Sequence, residues 1–279
     1  MPLHNVKNIL IGFTEEEDRP SAALSYGLSL ARDAGAHVTA LSASVKLMMA
    51  HAIVSEMAAG LVAAENRRVR ELAETAAESA RRRALSEGVP CTVETVQLHY
   101  AELVETFSSL CRMHDLAVVD ADADMLAIDR SLIEQALFSS GRPVIVVPRG
   151  ADTFKAERIM VAWNGSAKAA RALNDALPFL KNAKTIEIVC VSGEKDLSNA
   201  VPGAEIAPHL VRHGINPTVT DLAAQKGNAA ETLRNHAIVI RADMIVMGAF
   251  VHSPLRQTVF GGVTHSMLKD PPAPLYLSY

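Results

Sequence analysis

The chain has no surplus of either charge, no paired cysteine framework and no long uninterrupted apolar run. Its 279 residues carry 27 lysines and arginines against 31 aspartates and glutamates, giving a formal charge of −4 and a pI near 6.2. Such a balance creates no field that would draw in a polyanion, which excludes nucleic acid as an expected partner. Its three cysteines, Cys91, Cys111 and Cys190, are odd in number and widely spaced, fitting neither a disulfide framework nor a zinc site. No stretch reaches the ~18 apolar residues of a membrane helix. The opening Met1-Pro2-Leu3-His4-Asn5-Val6-Lys7-Asn8 lacks the basic and long apolar regions of a secretion signal. A reducing cytoplasm, with no membrane partner, is the expected setting.

Hydrophobic residues make up 49% of the chain and charged residues 21%, enough apolar material for real cores. The length suits one large domain or two of about 140 residues, and an internal repeat decides for two. Asn8-Ile9-Leu10-Ile11-Gly12-Phe13 corresponds to Arg158-Ile159-Met160-Val161-Ala162-Trp163 at an offset of 150, each an apolar run ending in an aromatic. A helical pattern follows each: Ala22, Ala23, Tyr26 and Leu30 in one, Ala169, Ala172, Leu173, Ala176 and Leu180 in the other. Second strands are expected near 37–43 and 185–191. Asp115-Leu116-Ala117-Val118-Val119-Asp120 then corresponds to Asp243-Met244-Ile245-Val246-Met247-Gly248 at an offset of 128, so the first copy is 22 residues longer between these landmarks. The surplus falls within 46–88, where Val69, Leu72, Ala73, Ala76 and Ala80 predict one long amphipathic helix. Each copy closes on a proline-led strand, at 143–147 and 274–278.

Short, continuous apolar strands alternating with helices specify a parallel sheet covered on both faces. The expected fold class is α/β: two tandem open five-stranded parallel sheets with helices on both faces, as domains 1–150 and 151–279. They join at the polar, turn-prone Arg149-Gly150-Ala151-Asp152-Thr153.

Ligands of open parallel sheets bind beyond the carboxyl ends of the strands where strand order reverses. In the second copy the fourth strand runs into Gly248-Ala249-Phe250-Val251-His252-Ser253-Pro254-Leu255-Arg256, and Gly261-Gly262-Val263-Thr264 follows just before helical spacing resumes at Met267 and Leu268. A glycine pair opening a helix lets backbone N–H groups approach a phosphate. From spacing alone these glycines are either such a cradle or simple turn punctuation.

The stretch resembles the signature of the universal stress protein family, and the repeat resembles its tandem two-domain members. In that family a glycine, two residues, a second glycine, nine residues and a Gly-Ser or Gly-Thr pair hold the phosphates of ATP. Gly248 and Gly261 stand at the first and third glycines; Val251 replaces the second, and Gly262 replaces the Ser or Thr. The resemblance implies a Rossmann-like, adenine-nucleotide-hydrolase-like fold, with ATP at the second domain weakened by the bulk of Val251 and the hydroxyl lost at Gly262. It also implies nucleotide contacts at the strand ends Ala162, Trp163 and Asn164, the last standing where the family carries Asp. Met247 and Val263 flank the phosphate loop, and Val191 is placed against the adenine. His252 and Arg256 are alternative phosphate contacts or solvent-facing loop residues, and Arg256 carries the permanent charge. In the first copy Gly12-Phe13-Thr14-Glu15 and Asp120-Ala121-Asp122-Ala123-Asp124 occupy these places, and the acids would repel a triphosphate. The first copy reads as a degenerate partner.

Other candidates point away from chemistry. Asp120, Asp122 and Asp124 lack the glycine and distal glutamate of a calcium loop, so no metal is assigned and a solvated acidic loop is expected. His209 and His213 have half of a zinc spacing and read as a solvated pair. Ser166 is an expected helix N-cap and Cys190 an inert core thiol. No general base or arginine clamp is placed for in-line attack. The functional expectation is therefore stress-linked sensing or protection through ATP at the second domain. A nucleotide-free interaction module using the 46–88 insert is the alternative, and slow ATP hydrolysis ranks third. Expected partners are an adenine nucleotide, the other domain in an internal pseudo-dimer joined by the closing strands, a second copy of the chain, and protein partners the sequence does not specify.

Overall fold

The computed structural model describes residues 3, 5–13, 21–48, 56–121, 128–193, 203–225, 227–249 and 262–279. The first half contains β1 (Asn8–Phe13), α1 (Ala22–Ala34), β2 (His37–Val45), α2 (Glu56–Ser86), β3 (Cys91–Leu98), α3 (Tyr100–Arg112), β4 (Leu116–Asp120), α4 (Ile128–Ser139) and β5 (Val144–Val147). The second contains β6 (Arg158–Ala162), α5 (Ala167–Asp175), α6 (Leu177–Leu180), β7 (Thr185–Ser192), a 3-10 turn, α7 (Ala207–Arg212), β8 (Thr218–Ala223), α8 (Ala229–Val239), β9 (Met244–Gly248), α9 (Gly262–Lys269) and β10 (Leu275–Ser278). The helical pattern from Ala169 to Leu180 is broken into α5 and α6, with Pro178 in the first turn of α6, where a missing N–H is tolerated.

The two expected five-stranded sheets are halves of one ten-stranded sheet, ordered β3-β2-β1-β4-β5-β10-β9-β6-β7-β8. Within each half every described pairing is parallel, whereas β5 and β10 pair antiparallel through Val144↔Leu277, Ile145↔Tyr276 and Val146↔Leu275. Both strands are buried along their full length. Asp115 and Asp243, matched by the repeat, do the same work in each half. Asp115 accepts hydrogen bonds from the N–H groups of Lys7 (2.7 Å) and Asn8 (2.9 Å), and Asp243 from that of Arg158 (2.9 Å), tying the start of the fourth strand to the start of the first.

Side chains alternate between two core layers, as they must on a pleated sheet. One layer lies under α1, α2, α5, α6 and α7 and holds Ile9, Ile11, Val118, Ile145, Ile159, Val161, Val246 and Tyr276. The other lies under α3, α4, α8 and α9 and holds Leu10, Val119, Val144, Met160, Ile245 and Leu275. Both cross from one half to the other. The 46–88 insert is indeed largely one helix, α2. Its buried stripe is Ala73, Ala76, Ala77, Ala80 and Ala84, narrow enough for the Ser42 hydroxyl to donate to the Ala73 carbonyl at 2.8 Å. Among the described residues no helix is long and apolar enough to cross a membrane.

An aromatic chain closes the junction. Tyr26 meets Phe154 at 5.5 Å between ring centres, Phe154 meets Phe179 at 6.0 Å, and Phe179 meets Tyr276 at 5.4 Å. The Tyr276 hydroxyl donates to the Asp175 carbonyl at 2.8 Å. Tyr276→Ala is expected to cost about 3–5 kcal/mol, and Tyr276→Phe about 1 kcal/mol. Urea denaturation followed by tryptophan fluorescence and far-UV circular dichroism should show both signals falling together in the wild-type protein, because the layers are shared.

Candidate functional site

The order β3-β2-β1-β4-β5, mirrored as β8-β7-β6-β9-β10, puts a switch point beyond the ends of β1 and β4 and another beyond β6 and β9. In the second half Ala162 pairs with Met247 in register, and Trp163 continues the β6 line by donating its N–H to the Val189 carbonyl at 2.9 Å. Asn164 then turns the chain: its side-chain oxygen accepts from the Ser166 N–H at 3.1 Å, and Gly165 takes φ +70°. Ser166 caps α5, its hydroxyl accepting from the Ala169 N–H at 3.1 Å, as expected of it.

The assigned contacts divide between the faces of the sheet. Ala162, Val191, Met247 and Val263 gather in the layer under α8 and α9, with Val191 only 5% exposed. Trp163 points to the opposite layer, under α5, and its indole N–H is buried without a hydrogen-bond partner. Gly248 has a packing reason to be glycine. A Cβ there would lie 2.6 Å from the Ala169 nitrogen and 2.6 Å from the Lys168 carbonyl carbon, so the strand end rests on the backbone of the first turn of α5. Gly262 is exposed at the start of α9. Val251, His252, Arg256 and Gly261 lie outside the described residues.

The first half resolves the same position differently. Asp120, at the place of Gly248, is half-buried and not part of a solvated loop. Its carboxylate accepts from the Ser21 hydroxyl at 2.6 Å and from the Ala23 N–H at 2.8 Å, while the Ser21 hydroxyl in turn accepts from the Leu24 N–H at 3.0 Å. The chain thus supplies its own anion to the N-terminus of α1, where an oxyanion is favoured. Burial pushes the Asp120 carboxyl above its usual range; the bonds from Ser21 and Ala23 and the Arg149 guanidinium only partly offset it. The contact joins residues 99 apart, so no local pattern announced it. Asp122 and Asp124 lie outside the described residues.

His209 and His213 meet edge to face at 4.8 Å, with His209 near the Asn174 side-chain oxygen at 3.4 Å. Among the described residues no group of three metal-ligating side chains forms. Burial, reinforced by Asp221, pushes the Cys190 thiol up to about 11, so it is protonated and unreactive near neutrality.

These features define a doubly wound α/β protein duplicated within one chain. Residues 155–277 match the sequence model of the universal stress protein family. Among solved structures, a universal stress protein from Archaeoglobus fulgidus DSM 4304 superposes with a TM-score of 0.69 at 16% identity, covering 96% of this chain and 97% of that one. A functionally unknown protein from Pseudomonas aeruginosa PAO1 follows at 0.61 and 14% identity, covering 99% and 93%. At these identities the likeness establishes the fold. No curated protein matches the chain.

Two substitutions test this local reading. Gly248→Ala should lower stability by about 1–3 kcal/mol in urea titrations, because the obstructing atoms are backbone. Asp120→Asn keeps an acceptor but removes the buried charge. Since the folded-state carboxyl is raised, stability from this group is greatest below its unfolded value and falls as pH rises through the folded one. The stability of the Asn variant relative to wild type should therefore grow as pH increases from about 4 and level off once Asp120 is ionised, as read from denaturation midpoints against pH.

Proposed function

We propose that this chain is a universal stress protein that acts in stress sensing or protection by binding an adenine nucleotide, ATP, at the switch point of residues 151–279. Residues 1–150 form a paired, nucleotide-free domain. The supporting observation is the contrast between the copies: the first half fills its helix N-terminus with Asp120, whereas the second ends its strand on Gly248 and places no acid there. The described residues fit the ligand in part. The strand ends Ala162, Trp163, Asn164 and Met247 bring no charge to repel phosphates, and the exposed Gly262 opens α9. When bound, ATP would supply a phosphate chain for the backbone amides of Gly248 and Gly262 to hold. No hydrolytic step is assigned.

A second reading has its own support. Met57 and Leu61 near the start of α2 are 77% and 64% exposed, an apolar face suited to a protein partner. Isothermal titration calorimetry separates the two. ATP should give saturable heat with the wild-type chain, weakened at least tenfold in Gly261→Tyr with its melting temperature retained. No heat at millimolar ATP, with partner capture that persists without nucleotide and needs residues 46–88, would favour the interaction module.

A further inference from the structure

The chain contains one Asn-Gly dipeptide, Asn164-Gly165, and the fold sets it in the turn between β6 and α5, at the second half's switch point. In an Asn-Gly pair the asparagine is least protected from its own backbone. The nitrogen of the next residue can reach the side-chain carbonyl carbon, and glycine brings no Cβ to obstruct the approach. Asn66, Asn174 and Asn235 lie instead inside α2, α5 and α8, where the next N–H is committed to the helix ladder.

The local bonds favour attack at this asparagine. Its side-chain oxygen accepts from the Ser166 N–H at 3.1 Å. That donor polarises the Cγ carbonyl and is already in place for the negative charge that develops on the oxygen in a tetrahedral adduct. It belongs to the residue that caps α5, so the positive end of the helix faces the same oxygen. Among the described residues no acceptor holds the Gly165 N–H, which leaves the nucleophile free. Asn164, Gly165 and Ser166 are each half-buried and open to the water that must take up and return protons.

We infer that Asn164 is a self-modifying site, whose side-chain amide is converted to a carboxylate by the following backbone nitrogen and water. Hydroxide removes the Gly165 amide proton, the nitrogen bonds to Cγ, and the side-chain nitrogen leaves as ammonia after taking a proton from water. Water then opens the resulting succinimide. Cleavage between Cγ and the Gly165 nitrogen restores the main chain with aspartate at position 164; cleavage at the other carbonyl routes the main chain through Cβ and Cγ as isoaspartate. The net change is amide plus water to carboxylic acid plus ammonia, without electron transfer. The aspartate product sets a carboxylate ahead of α5, where the Ser166 N–H meets it. Chemistry thereby gives the second half what Asp120 gives the first by sequence, an internal anion at the helix after its first strand. The inference rests on the dipeptide and its bonds and stands whether or not ATP binds.

Incubation of the full chain in mildly alkaline, oxygen-18-labelled water below its melting temperature, followed by peptide-mapping mass spectrometry, tests it. Asn164 should exchange its amide nitrogen for labelled oxygen while Asn66, Asn174 and Asn235 stay intact, and the ammonia-loss form at position 164 should appear first. The rate should lie within about tenfold of that of a free peptide of residues 159–169, a barrier difference of no more than about 1.4 kcal/mol. Aged protein should gain an acidic species that elutes with Asn164→Asp on anion exchange. Gly165→Ala should suppress that species, and Asn164→Ser, which has no amide to lose and keeps Gly165 at its positive φ, should abolish it. Conversion slower than that range, or label spread evenly over the four asparagines, would overturn the assignment.

Discussion

The antiparallel pairing of β5 with β10 is the constraint on which the rest of the molecule depends. Each is a four-residue apolar strand, fully buried. Alone, either would leave a row of amides and aliphatic side chains at the edge of a sheet, which is a template for aggregation. Paired, they turn two open sheets into one and make both core layers continuous. The edges that remain are β3 and β8, whose exposed and half-buried residues tolerate water.

Reversing the strand direction at the centre also settles where everything else lies. The carboxyl end of β5 and the amino end of β6 fall at the same end of the sheet, separated only by β10 and β9. Three strand spacings amount to about 14 Å, so the short segment 148–157 bridges them, carrying Phe154 between Tyr26 and Phe179. The same reversal puts the two switch points at opposite ends of the sheet.

Much of this was legible in the residues. The repeat, its offsets, the closing strands and the long helix all follow from apolar runs and their periods, because burial on a sheet or helix face is a local pattern. The Asp115 and Asp243 landmarks could be matched by neighbouring apolar residues without knowing that each binds a strand-opening amide. What was not legible depends on long-range approach. Asp120 reads as one acid among three, and only the fold brings Ser21 and Ala23 to it. Gly248 reads as a phosphate glycine, while the backbone of Lys168 and Ala169 against it supplies a packing reason. A single ten-stranded sheet could not be distinguished from two five-stranded ones by period alone, since edge pairing leaves no periodic mark.

Duplication makes the molecule its own control: equivalent positions share a fold, so their differences isolate chemistry. At the strand end the pair is Asp120 and Gly248, a built-in anion in one copy and no side chain in the other. At the junction the pair is Tyr26 and Arg171, equally far past their capping serines, Ser21 and Ser166: a ring packed on Phe154 and a guanidinium bonded to the Gly141 carbonyl. Arg149 connects the two differences within the first half. Its charge helps hold down the Asp120 carboxyl, and it also lines the groove at Tyr26. One cation thus faces the internal anion that closes α1 and the space left open at the junction. The copy that carries Asp120 at its switch point is also the copy that brings Arg149 to the junction.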